Sequence, residues 1–491
     1  MRSFEKAFIS RSNTTPMSPL QTDLYQLTMA AAYWQAGKAE QESVFHLFFR
    51  RLPFHGGYAI AAGLNPALDW LEAFRFSTAD LDYLASLRTK AGRALFQEKF
   101  LSHLGDLRLK LDIDAIPEGA AAFAHEPLLR VQGPILHAQL VETALLNIIN
   151  FQTLIATKAA RTCTAAAGAP VIEFGYRRAQ GQDGALSASR AAVIGGCRGT
   201  SNVLAGQLYG VPILGTHAHS WVMSFEDEAE AFDRYVEAMP DNSTLLVDTY
   251  DTLKGVDHAI ATAKKLRAQG HELSGIRLDS GDLAWLSQQA RVKLDAAGFP
   301  EVKIVASNDL DEHLIESLRH QNAKIDIWGV GTNLVTAADQ PALGGVYKLA
   351  ALRKDDGTWQ PRIKLSEQTA KSSIPGRLQV RRFIQDGQLI GDAIYDIDRS
   401  IPETVTIVDP ADPIRQKTIP AATDFTDVLQ PAMQGGRRLI TENLDTARER
   451  CQQTLASLHP GILRLKNPHA YPAGLEAGLH QHREQVLAQY R

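Results

Sequence analysis

A chain of 491 residues is longer than one ordinary hydrophobic core organises, so two domains, or one large barrel with additions, are expected. With 45% hydrophobic and 22% charged residues, a formal net charge of -4 and a pI near 6.4, the composition is that of a globular protein. It excludes a largely disordered chain, and it excludes a protein that coats nucleic acid or anionic membrane through its overall charge.

In chain order, the opening "MRSFEKAFISRSNTTPMSP" lacks a long apolar core and a cleavage site, which predicts a frayed N-terminus and no signal peptide. "TDLYQLTMAAAYWQAG" (22–37) reads as a helix, and "QESVFHLFFRR" (41–51) and "AAAFAHEPLLRV" (120–131) read as strands. The apolar stretch "PILHAQLVETALLNIINF" is interrupted by His137, Gln139, Glu142 and Asn147. It therefore falls short of the roughly 18 to 20 clean residues that cross a bilayer. Cys163, Cys197 and Cys451 are scattered without CxxC spacing, which predicts reduced thiols, no structural zinc and a cytoplasmic setting.

Between about 170 and 350 one grammar repeats: a short apolar run, a polar or glycine-rich turn, then an amphipathic helical segment. The runs are "PVIEFG" (170–175), "AAVIGG" (191–196), "PILGT" (212–216), "TLLVDT" (244–249), "GIRLDS" (275–280), "KIVASN" (303–308) and "IDIWGVG" (325–331). Their consecutive apolar residues predict seven parallel strands covered on both faces. Polar residues gather at the C-terminal ends of these runs, among them Arg177, Arg198, Thr216 to Ser220, Asp248, Asp279, Ser307 and Asn333, which favours a barrel with its site on that rim. Residues 351 to 430 read as antiparallel strands and the tail after 431 as helical. The expected division is 18–150 and 351–491 as two parts of one discontinuous sandwich domain around a barrel at 151–350.

No GxxxxGK[ST], no GxGxxG after a first strand and no HExxH is present, so ordinary nucleotide-fold and zincin readings fall away. Arg177, Arg178, Arg198 and Arg277 offer anion forks, and "GCRGTSN" and "GVGTN" offer backbone N–H groups to a phosphate. In "RLDSGDL" (277–283), Asp279 and Asp282 suit a metal or ribose hydroxyls, or else an ion pair with Arg277 and a helix cap. Asp248 ends a buried run and needs a partner such as a histidine or an arginine. His217 and His219 in "GTHAHSWVMSF" (215–225) lack the third ligand of a familiar zinc motif. At a rim with acids on neighbouring strands, an oriented imidazole serves as nucleophile or proton carrier.

Taken together, "TDLYQLTMAAAYW", "EFGYRRAQG", "GCRGTSNVLAG", "GTHAHSWVMSF", "DTYDT", "RLDSGDL" and "GVGTNLVT" with the later "LGGVYKL" resemble, in order along most of residues 18 to 350, the nicotinate phosphoribosyltransferase family. The resemblance implies a type II phosphoribosyltransferase fold: an irregular seven-stranded α/β barrel with an α/β sandwich domain built from both chain ends. It implies transfer of the phosphoribosyl group to nicotinate with release of pyrophosphate, ATP as co-substrate, Mg2+ as cofactor, and a homodimer with shared active sites. No nucleic-acid or membrane partner is expected.

Carried over residue by residue, His219 is the histidine that ATP phosphorylates, and His217 takes a supporting place. Tyr25, from the other subunit, and Phe174 sandwich the pyridine ring, while Thr216 and Ser220 line the nicotinate pocket. Arg277 and Thr332 hold phosphoribosyl pyrophosphate, Arg177 and Gly331 hold phosphate, Asp248 steadies the imidazole, and Asp279 faces ribose or magnesium. Ser201 in "RGTSN" is neutral where the nicotinamide-using relative carries an aspartate that would repel a carboxylate, which favours nicotinate over nicotinamide. A quinolinate-using relative lacks the phosphohistidine segment. A catalytically silent barrel acting as a ligand sensor has no evident need for His219, Asp248, Arg277 and Asp279 on one rim.

Overall fold

The computed structural model describes residues 18–365 and 373–490, and the expectation of a frayed opening segment lies outside them. Six parallel strands form one sheet in the order Gly199–Thr200, Val171–Glu173, Ile327–Val330, Lys303–Ala306, Gly275–Leu278 and Thr244–Leu246. The expected runs at 170–175, 244–249, 275–280, 303–308 and 325–331 each contain one of these strands. Helices Gln182–Ile194, Thr252–Ala268, Leu283–Ala296 and Glu312–His320 cover the sheet, as parallel crossovers require.

The other two expected strands need correcting. Residues 191–194 of "AAVIGG" are the last turn of helix Gln182–Ile194, and Gly195 is its cap. That helix lies so close to helix Glu142–Ala165 that a Cβ on Gly195 would stand 2.3 Å from the Ala156 carbonyl oxygen. A helix end buried on an alanine-rich face shows the same unbroken apolar run as a buried strand, so periodicity cannot separate the two. "PILGT" contributes a single parallel bridge, Thr200 to Ile213, and no strand. The seven-stranded ring is thus six strands and one bridge among the described residues.

A second, seven-stranded sheet combines both chain ends, in the order Trp359–Pro361, Val346–Arg353, Glu42–Phe48, Leu129–Pro134, Asp112–Ala115, Gln430–Gln434 and Arg437–Arg438. Strand Glu42–Phe48 pairs antiparallel with both Leu129–Pro134 and Val346–Arg353, and Phe45 stacks on Tyr347 at 4.8 Å. The expected helix at 22–37 is Leu24–Gln35. The C-terminal region adds a third sheet that includes Leu378–Gln385, Gln388–Asp396 and Ala473–Glu476, so the tail after 431 is not all helical: helices Leu444–Ser457 and Ala477–Ala488 alternate with strands. No described helix is long and apolar enough to cross a membrane.

Where the third sheet meets the N-terminal half, charge is buried. Arg382 lies opposite Asp392 in the hairpin and donates to it from Nη2 at 2.6 Å and to the Ala121 carbonyl at 2.9 Å. Tyr471 donates its hydroxyl to Asp392 at 2.7 Å and stacks on Phe123 at 3.9 Å. Glu126 accepts the Phe123 N–H at 2.8 Å. Burial, reinforced by the negative charge of Asp392, pushes the Glu126 carboxyl well above the usual range, which favours its protonated form.

Candidate functional site

Parallel strands end on one side of a sheet, and six loops therefore converge at the C-terminal edge. Arg277, on strand Gly275–Leu278, is the hub. Its Nε donates to Ser307 Oγ at 2.7 Å, Nη1 to Thr216 Oγ1 at 3.0 Å and Nη2 to Asp279 Oδ1 at 2.8 Å. Ser307 also donates to Asp279. The Asp279 carboxylate is half-buried, and burial alone would raise its pKa. The Ser307 hydrogen bond, the Arg277 charge and hydrogen bond, and the nearby His219 outweigh that and hold it below the ordinary carboxylate range. A guanidinium carries five N–H donors, so two beyond the three engaged here remain uncommitted.

His219 begins the short helix His219–Val222 and is partly exposed. Its Nδ1 lies 3.1 Å from Thr249 Oγ1 and its Nε2 lies 3.8 Å from Asp279 Oδ2. Asp248, expected to steady this imidazole, is not its direct hydrogen-bond partner; Thr249 is. Asp248 Oδ2 accepts from the Asp279 N–H at 2.8 Å and from the Ser280 hydroxyl at 2.7 Å, and its buried Oδ1 has no hydrogen-bond partner. Thr249, the next residue, lies in the bend beyond strand Thr244–Leu246 and is the one whose hydroxyl meets the ring. Thr249 lies inside the "DTYDT" motif, and its hydroxyl at a strand end was the available signal. Asp282 is a helix cap, its side chain accepting the Trp285 N–H at 3.1 Å.

The other expected residues occupy the same edge. Phe174 follows strand Val171–Glu173, with the Arg277 guanidinium 5.8 Å from its ring centroid. Gly329 makes room for that ring, because a Cβ there would lie 2.6 Å from Phe174 carbons. Beneath it the buried Glu173 accepts from Ser189 at 2.8 Å and Thr200 at 2.5 Å. Ser201, half-buried, follows strand Gly199–Thr200 and donates its N–H to the Glu173 carbonyl at 2.9 Å. Gly331 caps the short helix Thr332–Val335, with Thr332 half-buried at its start. Arg177 and Ser220 are exposed, in the turn Tyr176–Arg178 and in helix His219–Val222 respectively.

Tyr25 stands apart from this group. It is 45% exposed on helix Leu24–Gln35 and lines a surface cleft with Thr143, Asn147, Phe151 and Leu343; none of the rim side chains above lines that cleft. Among the described residues no group of three or more His, Cys, Asp or Glu is arranged to hold a metal ion. Asp248 and Asp279 offer carboxylate oxygens at the rim, among them the orphaned Asp248 Oδ1. A divalent cation here fits only if substrate phosphates and water complete its shell, which is how magnesium is usually held.

Three family models match the chain: the nicotinate phosphoribosyltransferase N-terminal domain over residues 20–150, the nicotinate phosphoribosyltransferase family over 170–379, and the corresponding C-terminal domain over 377–483. A nicotinate phosphoribosyltransferase of Bacillus subtilis is 48% identical over 377 residues, 77% of this chain and 75% of its own length. One from Mycobacterium tuberculosis is 42% identical over 459 residues, covering 93% and 91%. The crystal structure of human nicotinic acid phosphoribosyltransferase superposes with a TM-score of 0.82 at 33% identity, covering 95% of this chain and 99% of that one.

Proposed function

The chain belongs to the nicotinate phosphoribosyltransferase family, and on that premise we propose that it joins nicotinate to the ribose 5-phosphate of phosphoribosyl pyrophosphate, releasing pyrophosphate in NAD salvage. The observation that carries this reading is the arginine hub at the rim, where Arg277 is fixed by Thr216, Asp279 and Ser307 with donors to spare.

As pyrophosphate leaves, C1 of the ribose gains oxocarbenium character, and the nicotinate ring nitrogen must stand in line to take it. Arg277 and the backbone at Gly331 and Thr332 hold the departing phosphates, while Arg177 reaches them from the exposed turn. Phe174 packs one face of the pyridine, and Thr216, Ser220 and the neutral Ser201 border its carboxylate. Asp248 and Asp279 would hold magnesium together with substrate oxygens, and the ion would there supply charge neutralisation for the pyrophosphate.

ATP couples to transfer through His219. In the tautomer whose Nδ1–H donates to Thr249, Nε2 keeps its lone pair for the γ-phosphorus. The new N–P bond forms as the bond from phosphorus to the ADP oxygen breaks, and water later releases phosphate. The added charge beside Arg277 and Asp279 changes the affinities of substrates and products differently, which is the condition for coupling.

Tyr25 completes the site of a second subunit. Its exposure away from its own rim supports this, as do the exposed apolar residues Val203, Leu204, Leu208, Ile213 and Leu214 beside the site loops. Free Cys163, Cys197 and Cys451 suit a cytoplasmic enzyme. The test is to supply nicotinate, phosphoribosyl pyrophosphate, ATP and magnesium and to follow the mononucleotide. With γ-labelled ATP, His219→Asn should lose the protein-bound label entirely; retention of the label rejects His219 as the acceptor.

A further inference from the structure

The catalytic sheet does not close on itself through its backbone. On one side Thr200 pairs with the segment after it: its N–H donates to the Pro212 carbonyl and its carbonyl accepts the Leu214 N–H, both at 3.0 Å. On the other side the edge is strand Thr244–Leu246, whose neighbour is Gly275–Leu278. Val247 directs its N–H to the Arg277 carbonyl at 3.2 Å. By the alternation of a strand, the N–H before it, that of Leu246, points the other way into the gap. Leu246 is 1% exposed, so this donor needs a partner inside the protein.

His217 is that partner. Its Nε2 accepts the Leu246 N–H at 3.2 Å. The ring is wedged edge-on against Tyr235 at 4.7 Å and lies 6.2 Å from Phe232, both on helix Glu228–Ala238. An imidazole nitrogen that accepts must carry no proton. Burial, only partly opposed by the Ala218 carbonyl and assisted by the charges of Arg277 and His219, lowers the His217 pKa to about 4, so the ring is neutral near pH 7.

We propose that His217 is a positioning residue: its Nε2 replaces the missing rung of the barrel and sets the height of His219 against Thr249 and Asp279. The two links run close together. His217 is two residues before His219, and Leu246 is three before Thr249, so the 3.2 Å bond between the first pair fixes the register in which the second pair meets at 3.1 Å. A slip of one residue along the strand is about 3.3 Å, enough to remove the Thr249 hydrogen bond altogether. This role rests on the reading of His219 as the phosphorylated residue.

The test uses His217→Phe, which keeps a ring against Tyr235 without an acceptor, and His217→Gln, whose Oε1 offers an acceptor at similar reach. Thermal midpoints come first; His217→Leu replaces the Phe variant should that chain fail to fold. Hydrogen exchange at the Leu246 amide, the rate of labelling from γ-labelled ATP, and kcat and KM for nicotinate without ATP are then compared. Loss of the acceptor should speed Leu246 exchange and slow labelling about tenfold, with KM for nicotinate within about threefold of the original and Gln recovering both losses. Unchanged Leu246 exchange in the Phe variant, or unchanged labelling despite faster exchange, overturns the proposal. Equal impairment of Phe and Gln also overturns it, since ring packing alone would then matter. If the unmodified protein takes no label, the phosphohistidine reading fails by itself. In that case, Phe-dependent exchange at Leu246 with a fall in ATP-free kcat that Gln restores upholds positioning, and their absence ends it.

Discussion

Two arginine–aspartate pairs in this chain have nearly the same length and opposite uses. Arg382 and Asp392 meet at 2.6 Å with side chains 7% and 0% exposed; Arg277 and Asp279 meet at 2.8 Å with side chains 13% and 30% exposed. In the first pair the guanidinium spends Nε and Nη2 on Asp392 and the Ala121 carbonyl, and Tyr471 takes a further place on the carboxylate. In the second, the arginine is clamped on three sides while its carboxylate still faces an imidazole 3.8 Å away and solvent beyond. Both guanidiniums keep uncommitted N–H groups, so the lesson is that an ion pair marks a site only when its charged groups leave an approach for a ligand.

The comparison can be broken in order of expected effect. Arg382→Met should cost about 3–5 kcal/mol of stability, because Asp392 is left buried beside Glu126 without a cation. Denaturant unfolding measures this, and kcat/KM per folded molecule should hold; a collapse of kcat/KM at unchanged stability would reverse the roles of the two pairs. Arg277→Met should do the opposite, lowering kcat/KM by about 10² to 10³-fold with a stability change of about 1 kcal/mol. Steady-state kinetics beside the same unfolding assay decides it.

Tyr25→Ala should weaken nicotinate binding by about 1 kcal/mol, the usual worth of an aromatic pair beyond its area. Mixed under protomer exchange with His219→Asn subunits, it should regain part of the ATP-coupled rate, since one site in each heterodimer is then whole. Verified exchange without recovery places Tyr25 outside the partner's site.

A last effect concerns pH. The folded pKa of His217, about 4, lies below the ordinary 6.5, so between those values the unfolded chain binds the additional proton. Its contribution to stability is complete above the unfolded value and is lost as pH falls through this window. His46, lowered to about 3, and His125 and His137, each lowered to about 4, act in the same direction. The quantity to measure is therefore the difference between the original protein and His217→Phe, whose stability should fall less steeply from pH 6.5 to 4.

Much of this was legible from residue order. The helix at Leu24–Gln35, the strand at Glu42–Phe48 and five parallel strands with polar C-terminal ends follow from periodicity, and the motifs located Arg277, Asp279 and His219. What was not legible depends on facing across space. "AAVIGG" packs as a helix end because Gly195 lets two helices touch, which a one-dimensional apolar run cannot reveal. Likewise, whether Asp248 or Thr249 meets the imidazole depends on which way one strand end turns. His217 looked like a mere neighbour of His219 until the gap it fills was visible.

The sheet that combines both chain ends also sets an order of events during synthesis. Strand Glu42–Phe48 finds one neighbour early, at Leu129–Pro134, but its other neighbour, Val346–Arg353, emerges only after the barrel strands. At about 5 to 20 residues per second the intervening chain takes on the order of 15 to 60 s to appear. For that time a strand reading Ser-Val-Phe-His-Leu-Phe presents an open hydrogen-bonding edge, the kind that recruits other nascent chains. The newborn protein is therefore most prone to aggregation just before residue 346 leaves the ribosome, and its yield depends on chaperone supply and elongation speed more than its final stability suggests.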